Sequence, residues 1–190
     1  APGTLDNVTE QETQVVVGVL LELTNGLAVI GIAVMMFPIF KKHDEALALG
    51  YVALRIIEAV LIVAALIIPL ALITVGQEYL SAGAPDASSL QAAGTALLAA
   101  RATMAGQMLG IFFGLAALVF FYLLHQLKLV PRFISVWGLI AAVLVLAWNL
   151  LEIFGISISF GMIFALPIIL NEIFLGFWLI VKGFDSSATV

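Results

Sequence analysis

Five charged side chains lie well inside long apolar stretches of this 190-residue chain: Glu22, Arg55, Glu58, Arg101 and Glu172. A charge near the middle of a bilayer costs at least about 2.5–3.5 kcal/mol, so it persists when it is paired, hydrated or protonated. Carboxylate and guanidinium groups in such places could hold an ion or a polar solute, relay protons, or join helices. The pattern therefore predicts either a buried polar site or a set of interhelical ion pairs.

Amide and carboxyl side chains near these charges extend the candidate site. Asn149 and Glu152 share a helical face, as do Arg55 and Glu58, because residues three apart lie on the same side of a helix. The set holds four Glu and two Arg, so we expect at least one carboxyl group to be protonated at pH 7. The candidate binding residues are Glu22, Asn25, Arg55, Glu58, Arg101, Gln107, Asn149, Glu152, Asn171 and Glu172.

The composition places these charges in a membrane protein. Hydrophobic residues make up 64% of the chain and charged residues only 10%, and the mean hydropathy is +1.23. A soluble domain of this length could not bury that much apolar surface. The net charge of −5 argues against a nucleic-acid partner, which would require a basic face. The expected surroundings are the lipid bilayer.

Apolar stretches long enough to span a bilayer recur along the whole chain. We predict an all-α fold, a single domain over residues 1–190 that forms a bundle of five transmembrane helices in up-down order. A polar loop is expected from Gln77 to about Ser88, and a short uncharged turn that includes Gly155, Ser157, Ser159 and Gly161. The predicted spans are about 15–40, 46–76, 92–127, 133–154 and 160–181.

The basic residues of the predicted loops indicate the orientation. They are Lys41 and Lys42 in the first loop, Lys128 and Arg132 in the third, and Lys182 in the C-terminal tail. The N-terminal segment and the two remaining loops hold no Lys or Arg, so the positive-inside rule predicts an external N-terminus and a cytoplasmic C-terminus. An exported N-terminus leads us to expect a signal peptide or another helix ahead of residue 1.

Three segments resemble a bacterial family of integral membrane proteins of unknown function. They are LVPRFISVWGLI at 129–140, ALGY at 48–51 followed by RIIE at 55–58, and WLIVKGF at 178–184. The resemblance covers nearly the whole chain and implies a location in the bacterial inner membrane. Members usually have six helices, so it also implies one more helix ahead of this region. The family has no known activity to carry over.

A stripe of small residues, Ala102, Gly106, Gly110 and Gly114, recurs every four residues in the third span. Such a stripe lets another backbone approach closely. It predicts either close packing inside the bundle or a dimer face, and we favour internal packing.

The remaining chemistry-bearing residues predict no cofactor and no catalytic set. The chain has no cysteine, so it has no thiolate metal site and no cysteine nucleophile. Its two histidines, His43 and His125, lie at a predicted helix margin and are expected to be solvated rather than to ligate haem. No hydrolase, nucleotide-binding or metalloprotease motif occurs. An enzyme is therefore the least favoured function class.

Two function classes remain open from the sequence. The first is a protein that binds or transports a small polar solute, an ion or a lipid headgroup at the Glu/Arg site, with proton coupling through Glu58 or Glu172. The second is a non-catalytic subunit or scaffold of a larger membrane complex, in which the charges join helices and other membrane subunits are partners. A surplus of acidic groups favours the first class, because structural ion pairs only require equal numbers.

Overall fold

The computed structural model describes residues 4–82, 84–156 and 161–185. Within these ranges the chain forms helices and no strand. Residues 157–160, with two serines of the expected uncharged turn, lie outside the described residues. The helices are α1 (Thr4–Glu10), α2 (Glu12–Phe40), α3 (Glu45–Ser81), α4 (Ala84–Arg101), a π-helical segment (Ala102–Met108), α5 (Leu109–Gln126), α6 (Arg132–Ile153) and α7 (Met162–Val181).

Five helical stretches are long and apolar enough to cross a membrane. They are α2, α3, the continuous stretch from 86 to 126 through α4, the π segment and α5, then α6 and α7. The predicted all-α bundle of five membrane-length helices is therefore confirmed for the described residues. The orientation of the termini stays a prediction.

The region expected to be a polar loop from Gln77 to about Ser88 is mostly helical. Helix α3 continues to Ser81, and α4 begins at Ala84. The acidic N-terminal stretch also holds a short helix, α1, whose Leu5 is 5% exposed and packs against Ile68 and Leu72 of α3. Burial of this apolar side chain explains why a mostly polar segment is ordered here.

The opposite end of the bundle carries the basic loops, and we call it the basic end; it comprises residues 41–44, 127–131 and 182–185. Helix α3 begins there after Asp44, whose side chain accepts a hydrogen bond from the Leu47 N–H at 2.9 Å. Such a cap satisfies a backbone donor that the first turn leaves free. It fixes the start of the helix that carries Arg55 and Glu58.

An aromatic cluster fills the core near the basic end. Phe40 and Tyr51 are fully buried, and their ring centroids are 5.6 Å apart. The Phe120 ring stacks on Tyr51 at 5.6 Å and meets Phe40 edge-on at 5.9 Å. These contacts join α2, α3 and α5 at one level, and edge-on and offset arrangements are the ones that aromatic rings favour.

Glycines allow α5 and α6 to pack closely. A Cβ added at Gly110 would meet the Asn149 amide, and one added at Gly114 would meet Leu146. Gly106 has open space around it. The internal-packing interpretation of the small-residue stripe is therefore right for Gly110 and Gly114. The π segment ends just before Gly110, and its wider turns interrupt the four-residue periodicity, which explains why Gly106 faces elsewhere.

The spans form an arc rather than a closed ring. Helix α2 packs on α3, α3 on α5, α5 on α6, and α6 on α7. Among the described helices, α2 and α7 do not pack closely against each other. The arc therefore leaves a gap between its two terminal spans, with α3 and α5 behind it.

Candidate binding groove between α2 and α7

The gap between α2 and α7 is a cavity of about 520 Å³. We call it the groove. Its polar lining residues are Asn25 of α2, Tyr51, Arg55 and Glu58 of α3, and Glu172 of α7. Apolar side chains of α2, α5 and α7 supply most of the remaining wall, among them Met36, Phe113, Phe120 and Leu179. Polar groups gathered in a mostly apolar concavity are the usual composition of a small-molecule site.

Arg55 and Glu58 form an ion pair at the back of the groove. The Arg55 Nη1 donates to both carboxylate oxygens of Glu58, at 2.9 and 3.2 Å, and the two residues are 8% and 3% exposed. The Arg55 Nε donates to the Tyr51 hydroxyl at 3.3 Å. The guanidinium also lies 5.5 Å from the Tyr51 ring centroid and 5.7 Å from that of Phe113. The pair therefore carries no net charge, and its guanidinium is in contact with Glu58, Tyr51 and Phe113.

Glu172 supplies a further carboxylate at the mouth of the groove. It is exposed, and within the described residues it makes no hydrogen bond or ion pair. It lies near enough to Arg55 and Glu58 to interact electrostatically with both. When all three groups are ionised, the groove carries one negative charge in excess. An uncompensated carboxylate in an apolar setting is costly unless a ligand, water or a proton compensates it.

The second ion pair of the described residues lies outside the groove. The Arg101 Nη2 donates to the Glu22 Oε1 at 2.5 Å, and the Arg101 Nη1 donates to the Ala65 carbonyl at 3.0 Å. These contacts tie the end of α4 to α2 and α3. Neither Glu22 nor Arg101 lines the groove. This pair therefore fits the interpretation in which the charges join helices.

Comparison with protein families identifies the chain at the family level. A family model described as a domain of unknown function, DUF4386, matches residues 1–183. The chain belongs to the DUF4386 family. No curated protein and no solved structure matches it. The assignment agrees with the resemblance to membrane proteins of unknown function, while the sixth helix and the loop motif stay predictions.

The remaining candidate residues of this DUF4386 chain lie apart from the groove. The Asn149 amide donates to the Val145 carbonyl at 2.8 Å, and Glu152 accepts a hydrogen bond from the Trp148 indole at 2.9 Å. The Asn171 amide donates to the Ile134 carbonyl of α6 at 3.0 Å, and its own buried oxygen has no hydrogen-bond partner among the described residues. Gln107 is half-buried in the π segment.

The structure thus brings together four of the ten candidates, Asn25, Arg55, Glu58 and Glu172. Asn171 and Glu172 separate because consecutive helical residues point about 100° apart. His125, expected to be solvated, is half-buried, and its Nδ1 lies 3.0 Å from the Ser135 hydroxyl. Among the described residues, no three His, Asp or Glu side chains are grouped so that they could hold a metal ion.

Tyr51 is the polar residue of the groove that the sequence reasoning left out. It precedes Arg55 by four positions, so both lie on one helical face and their contact was predictable from spacing. The aromatic residues that α5 contributes to the groove had no comparable signal in the sequence, because Phe is common on every face of a membrane helix. Only the packing of α5 behind α3 brings Phe113 and Phe120 to this cavity.

Proposed function

We propose that this DUF4386 protein binds a small lipophilic cation in the groove, that is, a molecule that joins a positive charge to an apolar body. The observation that carries the proposal is Glu172. Its carboxylate has no hydrogen bond or ion pair among the described residues, and it faces an Arg55–Glu58 pair that is already neutral. A cation would complete the charge balance of the groove.

The other groups of the groove also favour a positively charged ligand. An anion would meet two carboxylates and a guanidinium whose Nη1 is already engaged by Glu58. A cation would meet Glu172 together with the Phe120 ring, and aromatic faces attract cations. Protons compete with the ligand for Glu172, so binding is expected to weaken as the pH falls.

The walls of the groove favour a ligand with an apolar body. Its volume of about 520 Å³ is within the range that holds small organic molecules. A bare inorganic ion would leave the apolar side chains of α2, α5 and α7 without contacts. Because α2 and α7 do not pack closely on each other, such a ligand could enter sideways from the lipid.

The test uses two probes of the same shape and opposite charge, tetraphenylphosphonium and tetraphenylborate. We expect tetraphenylphosphonium to raise the unfolding temperature of the purified protein, and tetraphenylborate to have little effect. In Glu172→Gln the affinity for tetraphenylphosphonium should fall at least roughly tenfold, because unit charges about 8 Å apart interact by about 2 kcal/mol at an effective dielectric constant of about 20.

Glu152→Gln is the matched control, because it makes the same change at a residue outside the groove. Its affinity for tetraphenylphosphonium should equal that of the wild type. Equal binding of the two probes, or equal loss in both variants, would rule out the proposed cation site.

A role as a subunit of a larger membrane complex is the second candidate. The incomplete packing of α2 and α7 favours it, because a helix of another protein could fill the groove. Native mass spectrometry of the protein extracted from its own membranes distinguishes the two candidates. A stoichiometric second polypeptide supports the subunit role, whereas a single chain supports the binding role.

A further inference from the structure

A second cavity, of about 340 Å³, lies at the basic end and shares one lining residue, Phe184, with the groove. It is formed by the turn between α5 and α6 and by the segment that follows α7. The backbone N–H of Asp185 donates to the Leu129 carbonyl at 3.0 Å and holds these two segments together. We call this cavity the basic pocket. Its lining is residues 128–132, Trp178 and residues 182–185.

Three cationic side chains line the basic pocket: Lys128, Arg132 and Lys182. All three are exposed, and neither of the two ion pairs found among residues 4–82, 84–156 and 161–185 involves them. Asp185 is the acidic side chain of the lining. The pocket therefore carries two positive charges in excess, although the chain as a whole is acidic.

Lys128 has a left-handed backbone conformation in the turn that lines the basic pocket. Lys128 has φ of 53°, and among the described residues it is the only non-glycine with a positive φ. This left-handed conformation is unfavourable for residues other than glycine, asparagine and aspartate. Glycine would relieve the strain there, as Gly183 does at φ of 71° on the other side of the pocket. The conformation closes the C-terminus of α5, where the N–H groups of Lys128 and Leu129 donate to the carbonyls of His125 and Leu124 at 3.3 and 3.2 Å.

We propose that the basic pocket binds a phosphate group of an anionic molecule. Guanidinium and ammonium groups are the side chains that bind phosphate, and basic pockets at the margin of transmembrane helices suit lipid headgroups. Trp178 in the lining is of the type enriched where a membrane meets water. Leu129, Val130 and Phe184 add an apolar floor beside the charges. This inference is independent of the cation proposed for the groove.

The experiment compares two doubly substituted proteins in lipid nanodiscs. Arg132→Gln/Lys182→Gln removes two charges from the pocket, and Lys41→Gln/Lys42→Gln removes two charges from the same end outside it. Native mass spectrometry measures the preference for retained phosphatidylglycerol over phosphatidylcholine, with and without inorganic phosphate as competitor. Unfolding temperatures in phosphatidylcholine alone verify that both variants fold.

We expect the pocket variant to lose about thirtyfold of the preference for phosphatidylglycerol, since each basic residue near an anionic surface contributes about fivefold. The control variant should lose much less. If millimolar inorganic phosphate displaces the lipid, the phosphate group that binds belongs to a free phosphate compound. If inorganic phosphate does not displace the lipid, the group belongs to the lipid headgroup. Equal losses in both variants, or no preference in the wild type, would overturn the proposal.

Discussion

Replacing Arg55 by Met is expected to lower the free energy of unfolding by about 3–5 kcal/mol, because it leaves a buried carboxylate without its partner. Glu58 is 3% exposed and receives its two hydrogen bonds of 2.9 and 3.2 Å from the Arg55 guanidinium. The substitution also removes the hydrogen bond to Tyr51 and the contacts with two aromatic rings. Equilibrium unfolding of the detergent-solubilised protein measures the loss.

The double variant Arg55→Met/Glu58→Met separates charge from packing. Exchanging a buried ion pair for apolar side chains of similar volume is often neutral or stabilising, so most of the lost stability should return. Arg101→Met is the matched control, because its partner Glu22 has a side chain that is 44% exposed. Its loss should be smaller than that of Arg55→Met. A double variant as unstable as the single one would contradict this account of the pair.

Replacing Gly138 by Ala is expected to destabilise the protein by about 3 kcal/mol, the upper part of the range for overpacking. A Cβ at this position of α6 would overlap the ring of Phe121. Phe121 is 1% exposed, so its ring cannot move aside without displacing other core residues of α5 and α6. A fall in unfolding temperature and faster hydrogen exchange in both helices would report the effect.

Gly50→Ala is the control for this substitution. Gly50 lies at a similar distance from the basic end, in α3, and has no atom within 4 Å of an added Cβ. Alanine is favoured over glycine inside a helix, so this variant should be neutral or more stable by about 0.5–1 kcal/mol. Equal destabilisation by the two substitutions would show that the Gly138–Phe121 contact is not what sets the stability.

The helices of this fold were predictable from the sequence, whereas the groove was not. Long apolar stretches interrupted by charged turns are sufficient to predict five spans, because only helices and closed barrels satisfy backbone hydrogen bonds in lipid. The Arg55–Glu58 contact likewise follows from a spacing of three. The groove depends on which helices pack together, and the hydropathy of α2 and α7 is close to that of α6 and of the stretch from 86 to 126, which do pack closely.

The candidate site was predicted as one cluster, and the described residues form several smaller groups. The depth of a charge along its span was readable from the sequence, but the direction in which it points was not. Glu22 and Arg101 pair with each other outside the groove, and the Asn149 amide donates a hydrogen bond to a carbonyl of its own helix. The π segment adds a rotation between α4 and α5 that no residue pattern predicted.

The position of a bound lipophilic cation tests the central claim most directly. Tetraphenylarsonium has the shape and charge of tetraphenylphosphonium, and the anomalous scattering of its arsenic atom locates it in a crystal of the protein. We expect one strong peak between α2 and α7, beside the Glu172 carboxylate, that is absent from crystals of Glu172→Gln. A peak elsewhere on the bundle, or an equal peak in the variant, would contradict that claim.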